Sequence, residues 1–423
     1  MIDSHCHINL NHFADDLETV IEHALIDGVR GMLNIGFDPE TARETIELVE
    51  KYPFIFGVVG CHPHDAQSLD DEFEAMIRDF LTHDRVIGIG EIGLDYYRDL
   101  SPQEVQNDVF RRMIRLGREQ SVPIVIHCRD AFQDVVSALK EESDHHRGIF
   151  HAFAGTPEEA QQVIDLGFHI GVGGVVTFQN SQLSRTLETV PVESIVLETD
   201  SPYLTPSPYR GKRNEPAYVS HVARAVASIK GVTPGEISRI SDENFCKAMG
   251  LSPGMLPGPV YRLENTVYIH SAALSSDQLD VLDTFGDDVE GMVLCGLDDP
   301  LAGLDSALAL AARGREKGWH VSINTDGRGS HLAERDVAPE LADAVDEIVV
   351  LFHGTTSAQH DRTMGTSYGA DGFEIMKDFV RCSVAAGMTT VCEFIATPKF
   401  SPEPCRELAK ALGAQYDIRM YGS

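Results

Sequence analysis

The sequence is short of several things, and each shortage excludes something. Across 423 residues no run approaches the ~18 consecutive apolar residues of a membrane-spanning helix, so no membrane segment is expected. The opening residues carry no basic stretch followed by an apolar one, so no secretory signal is expected there. The eight cysteines (6, 61, 128, 246, 295, 382, 392 and 405) keep no tight spacing and read as reduced thiols of a cytoplasmic protein. Basic residues are few: 34 Lys and Arg stand against 66 Asp and Glu, a net charge of −32. The deficit is shared, −19 over residues 1–256 and −13 over residues 257–423. Neither part is a nucleic-acid footprint of the usual basic kind. A polyanionic ligand would need metal ions and a local basic loop to offset long-range repulsion.

What is present is an alternation. A hydrophobic content of 43% with 36 Gly fits an ordinary globular α/β protein. Strands are predicted from Ile2 and over residues 31–37, 55–60, 86–91, 123–128, 148–153, 168–174 and 194–200. Helical patterns fit between them, as at 15–27, 39–51, 102–120 and 157–165. Eight strands with intervening helices within about 250 residues is the arithmetic of a (β/α)₈ TIM barrel. "LSPGMLPGPV" (251–260), rich in Pro and Gly, marks a boundary. Beyond it the alternation restarts at 266–269, 291–296, 320–325, 347–352, 390–396 and 416–421, a second and smaller α/β domain. The expected domains are therefore 1–256 and 257–423.

The ionisable residues fall where a barrel places its active site, at the C-terminal ends of strands. "DSHCH" opens the chain with His5 and His7, which share one face of an extended strand. Strand three ends in "GCHPHD" with His62 and His64, strand four in Glu91, strand five in His127, strand six in His151 and strand eight in Asp200. A single such residue would read as a capping or hydrogen-bonded core group. Six strands of eight ending this way point to a metal site of imidazole and carboxylate, suited to Zn, Mn, Fe or a Mg-like ion. Four His and two carboxylates suffice for two metals when one carboxylate is shared.

These motifs carry a resemblance. "DSHCH", "GCHPHDA", "GEIGLDYY", "PIVIHCRDA", "FHAFAG" and "LETDSPYLTP…YRGKRNEP" occur in order over residues 1–250 and resemble the TatD family of metal-dependent deoxyribonucleases, of the amidohydrolase superfamily. The resemblance implies two divalent metal ions (Mg, Mn or Zn). His5, His7, Glu91 and Asp200 would hold one, and Glu91, His127 and His151 the other, with Glu91 bridging. Asp200 then serves as the proton acceptor, and His62 at the rim donates hydrogen bonds to phosphate. His64 either joins it or is a structural turn residue. Arg129 either holds a phosphate or pairs with Asp130 or Glu198. "PYRGKRNEP" places Arg210, Lys212 and Arg213 on the loop after strand eight, read as a DNA-backbone contact or as a solvated loop. Tyr203 either stacks on a base or packs against the barrel. The implied partner is DNA, single-stranded or with frayed ends. A small ester, lactone or amide is the alternative substrate.

Residues 265–397 resemble a radical SAM domain of the kind associated with TatD proteins, through "VLCGLDDPLAGLDSALALAARGREKGWHVSINTDGRGS" and "PELADAVDEIVV". The family anchors its cluster through three cysteines after its first strand. "NTVYIHSAALSSDQ" contains none, so no iron–sulfur cluster is expected.

Overall fold

The computed structural model describes residues 1–142, 147–271, 274, 276–364, 369–396 and 401–420. Ala272, Ala273 and Ser275, within the segment where a cluster loop would fall, lie outside the described residues, as does Tyr421 of the last expected strand. The chain divides into two units. The first comprises 1–17, 30–206 and 225–257, and the second 18–29, 207–224 and 258–423.

The first unit is built on eight parallel strands in sequential order: β1 (Ile2–Cys6), β2 (Gly31–Gly36), β3 (Ile55–Val59), β4 (Val86–Asp95), β5 (Ile124–Arg129), β6 (Gly148–Phe150), β7 (Phe168–Val172) and β8 (Ile195–Leu197). The chain just past β8 returns to β1, where Asp200 N–H donates to His5 O (2.9 Å) and His7 N–H to Ser201 O (2.8 Å). Capping chemistry fixes several connecting helices. Asp38 accepts from the N–H groups of Glu40 and Thr41 ahead of helix Pro39–Lys51, and Thr156 caps Pro157–Asp165 with Glu159 answering it.

The N-terminal end of the barrel is filled. Ile2, Leu33, Ile35, Val58, Ile87, Val125 and Val196 pack with Phe245, Ala248 and Met249 of helix Pro234–Met249. That leaves the C-terminal ends of the strands to carry polar groups. Strand four departs from expectation: it runs on to Asp95 rather than ending at Glu91. Its register against β5 shifts between Ile89 and Ile92, an irregularity of the kind that re-aims one side chain while pairing continues. Gly93 makes that pairing possible, with φ +150° and a hypothetical Cβ 1.9 Å from His127 O.

The second unit holds a seven-stranded sheet, ordered β15-β14-β13-β12-β11-β10-β9. β9 (Val260–Leu263) is antiparallel to β10 (Thr266–His270). β11 (Gly291–Cys295), β12 (His320–Thr325), β13 (Glu347–Phe352), β14 (Thr389–Ile395) and β15 (Gln415–Arg419) continue in parallel. β9 was not expected, because it emerges from the Pro- and Gly-rich boundary and carries Arg262. Alternate residues such as Val267, Ile269, Ile348, Val350, Phe352 and Phe394 form a core with the helices of residues 304–412. The other face meets segments 18–29 and 207–224. Tyr268 Oη bonds Glu22 (2.6 Å), His270 Nε2 donates to Leu25 O (2.7 Å), and Leu351 and Ile395 pack with Tyr209, Ala217 and Tyr218. Arg419 pairs with both Asp27 (2.8 Å) and Glu393 (2.5 Å).

Candidate metal centre

Six of the expected ligands converge at the C-terminal end of the barrel. His5 Nε2 lies 3.2 Å from His7 Nε2, 3.3 Å from Glu91 Oε2 and 3.8 Å from Asp200 Oδ1. His7 Nε2 lies 3.4 Å from Asp200 Oδ1 and 3.8 Å from Glu91 Oε2. Donors bound at about 2.0–2.2 Å around a tetrahedral ion stand roughly 3.3–3.6 Å apart, so this set fits a shared cation. The Nδ1 atoms of His5 and His7 are buried without hydrogen-bond partners. Asp200 holds its place in the left-handed region (φ +57°), which aspartate tolerates better than most residues.

Glu91 faces two ways. Its Oε2 meets His5 and His7, while Oε1 meets His127 Nδ1 (2.6 Å), His151 Nε2 (3.6 Å) and His62 Nε2 (3.7 Å). His62, Glu91 and His127 offer donor atoms within 4.8 Å of one another, as do His5, His7 and Asp200. His62 is aimed by its other nitrogen, which accepts the His64 N–H at 3.1 Å and caps the turn Pro63–Ser68. Thus His62 reaches ligand distance as well as the rim.

Three buried acids complete the arrangement; sequence reasoning gave none of them this role and named Glu198 only as a partner for Arg129. Asp95 receives His127 Nε2 (3.1 Å) and His64 Nε2 (2.9 Å) on one oxygen. Glu198 lies 3.2 Å from His151 Nδ1, in a space that Gly171 leaves open, since a Cβ there would sit 2.3 Å from Glu198 Oε2. Asp3 accepts from His5 N–H (3.3 Å), Thr199 N–H (2.9 Å) and Thr199 Oγ1 (2.6 Å), tying β1 to the approach to Asp200. Carboxylates on the far nitrogens of histidines are the usual outer shell of a metal site. In the sequence their only signal is position, since each stands within four residues of an expected ligand.

The electrostatics follow from burial and neighbours. Burial alone would raise Glu91, yet His151, His5 and His62 hold it well below the usual carboxylate range. Burial opposes charge on His127, but Asp95 and Glu91 on either side raise it to about 8. His151 is likewise opposed by burial and raised to about 10 by Glu198, Glu91 and Asp200. His5 and His62 go the other way, lowered chiefly by burial. Asp3, enclosed by protein, is raised to about 8 by burial despite its Thr199 bonds.

The remaining expected residues are spread more widely. Arg129 lies over the Tyr97 ring, 4.0 Å to the centroid, and Glu198 is committed to the His151 side of the centre. Tyr203 is half exposed, its ring edge-on to His7 at 6.2 Å. The loop with Arg210, Lys212 and Arg213 belongs to the second unit. There Tyr209 is fully buried against Tyr218, Arg210 is exposed, and Arg213 pairs with Glu215 at 2.9 Å.

A parallel barrel whose strand ends gather histidines and carboxylates around cation-sized gaps is the architecture of a metal-dependent hydrolase. The family model described as TatD related DNase matches residues 2–250, and the chain belongs to that family. Over 246 residues it is 42% identical to the uncharacterized metal-dependent hydrolase YabD of Bacillus subtilis, covering 58% of this chain and 96% of the relative. It is 35% identical over 255 residues to the 3'-5' ssDNA/RNA exonuclease TatD of a Rahnella species, covering 58% and 97%. The crystal structure of YjjV, a TatD homologue of Escherichia coli, superposes with a TM-score of 0.57 at 25% identity, over 60% of this chain and 98% of that one. Among the described residues no helix is long and apolar enough to cross a membrane.

Proposed function

We propose that this TatD-family hydrolase cleaves phosphodiester bonds in DNA with two divalent metal ions (Mg, Mn or Zn), as a deoxyribonuclease acting from an end. The observation that carries the reading is the division of Glu91, one oxygen toward His5 and His7 and the other toward His127, His151 and His62. His5, His7, Glu91 and Asp200 would hold one ion, and Glu91, His127 and His151 the other. When bound, such ions polarise the phosphodiester and lower the pKa of water. Asp200 accepts the proton of the attacking water. His62 donates to a phosphate oxygen, with His64, aimed by Asp95, beside it. Arg129 holds a phosphate, Tyr203 stacks on a base, and Arg210, Lys212 and Arg213 contact the backbone. Two relatives named as 3'-5' ssDNA/RNA exonucleases support a nucleic-acid substrate.

Residues 1–256 are read as the catalytic domain and residues 257–423 as a degenerate radical SAM relative without cluster or catalysis. Its sequential parallel strands support the second reading. So does the scatter of Cys295, Cys382, Cys392 and Cys405 over four separate elements. All eight cysteines are free, in keeping with a cytoplasmic location.

The test is hydrolysis by the metal-loaded protein of labelled single- and double-stranded DNA, RNA, a chromogenic phosphodiester and a chromogenic lactone. Shortening of single-stranded DNA from one end is expected. Turnover of the lactone alone would overturn the reading.

A further inference from the structure

Large apolar side chains exposed on the first unit are unevenly distributed. Tyr97 (61% exposed), Leu100 (62%), Tyr203 (51%) and Leu204 (37%) sit on two loops, those after β4 and β8, and Met255 is the remaining one among the described residues. Tyr97 and Leu100 share the loop after β4, and Tyr203 and Leu204 the loop after β8.

Each loop is tied to a different side of the metal centre. Tyr97 N–H donates to Asp95 Oδ1 at 3.0 Å, and the other oxygen of Asp95 meets His127 at 3.1 Å. Tyr203 stands edge-on to His7. The two tyrosines thus flank the two ends of the ligand cluster. Arg129, two residues past His127, lays its guanidinium over the Tyr97 ring. A guanidinium stacked on an aromatic ring keeps its planar edge of N–H donors available for a phosphate.

We infer that Tyr97 and Arg129 together form a nucleotide subsite on the His127 side, opposite Tyr203. The inference rests on the nuclease reading above and narrows its substrate. A base stacks on the Tyr97–Arg129 pair while the guanidinium edge takes the adjoining phosphate, and Tyr203 receives the base across the scissile bond. Paired bases present no free face to either ring. The single-stranded substrate of the reading above would then need at least one nucleotide on each side of the bond cleaved. A base–aromatic stack is sequence-tolerant and sets affinity without altering chemistry.

The test uses the metal-loaded full chain and three substitutions, Tyr97→Ala, Tyr97→Phe and Arg129→Gln. A phosphorothioate trinucleotide carrying 2-aminopurine reports stacking by fluorescence quenching. The unmodified trinucleotide and bis(p-nitrophenyl) phosphate report turnover. Tyr97→Ala should abolish the quenching and raise the trinucleotide KM about 10-fold, with kcat nearly unchanged. Tyr97→Phe, which keeps the ring, should restore both, and Arg129→Gln should raise KM with partial loss of quenching. Hydrolysis of the small diester should be unaffected in Tyr97→Ala and Tyr97→Phe. Unchanged KM and quenching in Tyr97→Ala would overturn the subsite, as would failure of Tyr97→Phe to rescue or an equal loss on the small diester. A wild-type protein that hydrolyses the small diester but neither binds nor cleaves the trinucleotide would overturn the nucleic-acid reading itself.

Discussion

The two sheets of this chain are built from the same material and treat their polar groups in opposite ways. Each is a run of parallel strands in sequential order with helices between them. In the first, imidazole and carboxylate groups at the strand ends crowd together at 2.6–3.8 Å around Glu91. In the second, the face turned from its helices meets the chain's own segments: Arg419 has Asp27 and Glu393, Tyr268 has Glu22, and His270 has a backbone carbonyl. The same architecture thus turns its polar residues toward one another at the strand ends in one case and toward neighbouring segments of its own unit in the other.

The comparison can be broken in order of expected effect. Glu91→Ala should empty both metal sites and reduce hydrolysis about 10³-fold or more, whereas Asp200→Asn should lose comparable activity with the fold intact. Metal analysis beside steady-state rates decides it, and a Glu91→Ala protein retaining both metals would end the bridging assignment. In the second unit, Arg419→Ala removes a side chain only 2% exposed. Breaking such a buried pair should cost about 3–5 kcal/mol in chemical denaturation while metal content is untouched. If stability were unchanged, the self-bonded description of that face would fail.

Smaller effects sharpen the contrast. Asp95→Asn and Glu198→Gln should each weaken metal binding by about 10–100-fold, measured by competition with a chelator, because each orients a ligand histidine. Metal affinity should also depend on pH in a definite direction. His127 and His151, raised to about 8 and about 10, carry protons at neutrality in the metal-free protein. A cation must displace those protons, so affinity rises as pH climbs toward these values and falls in acid. Calorimetry in buffers of different ionisation heat should show protons released on binding. Proton uptake would contradict the assignment. Least, replacing Arg210 and Lys212 with Ala should flatten the salt dependence of single-stranded DNA binding by about 0.7 for each phosphate no longer neutralised. Arg213→Ala should add little, its charge being shared with Glu215.

Much of this was legible in the sequence, and the failures have physical causes. Strand positions followed from short apolar runs, and helix Pro39–Lys51 from the helical pattern between two of them. The six converging residues were readable because each interrupts an apolar run at a strand end. Glu91 was recognised although its strand continues four residues further, since a register shift leaves no mark in composition. The places of Asp3, Asp95 and Glu198, the last read only as a partner for Arg129, were not legible because each depends on which group the acid faces, and no local pattern encodes that. The membership of 18–29 and 207–224 in the second unit was equally hidden, resting on pairs such as Glu22 with Tyr268, 246 residues apart.

One further consequence attaches to the divided carboxylate of Glu91. If two ions bind as proposed, a single side chain serving both clusters would link their occupancies thermodynamically, and by reciprocity each ion would change the affinity for the other by the same factor. Ordering the Glu91 rotamer once would remove that entropy cost for a second ion, while repulsion between two cations would work against it. The balance is carried by one carboxylate, so any change at this position acts on the cooperativity of metal loading before it acts on the strength of either site.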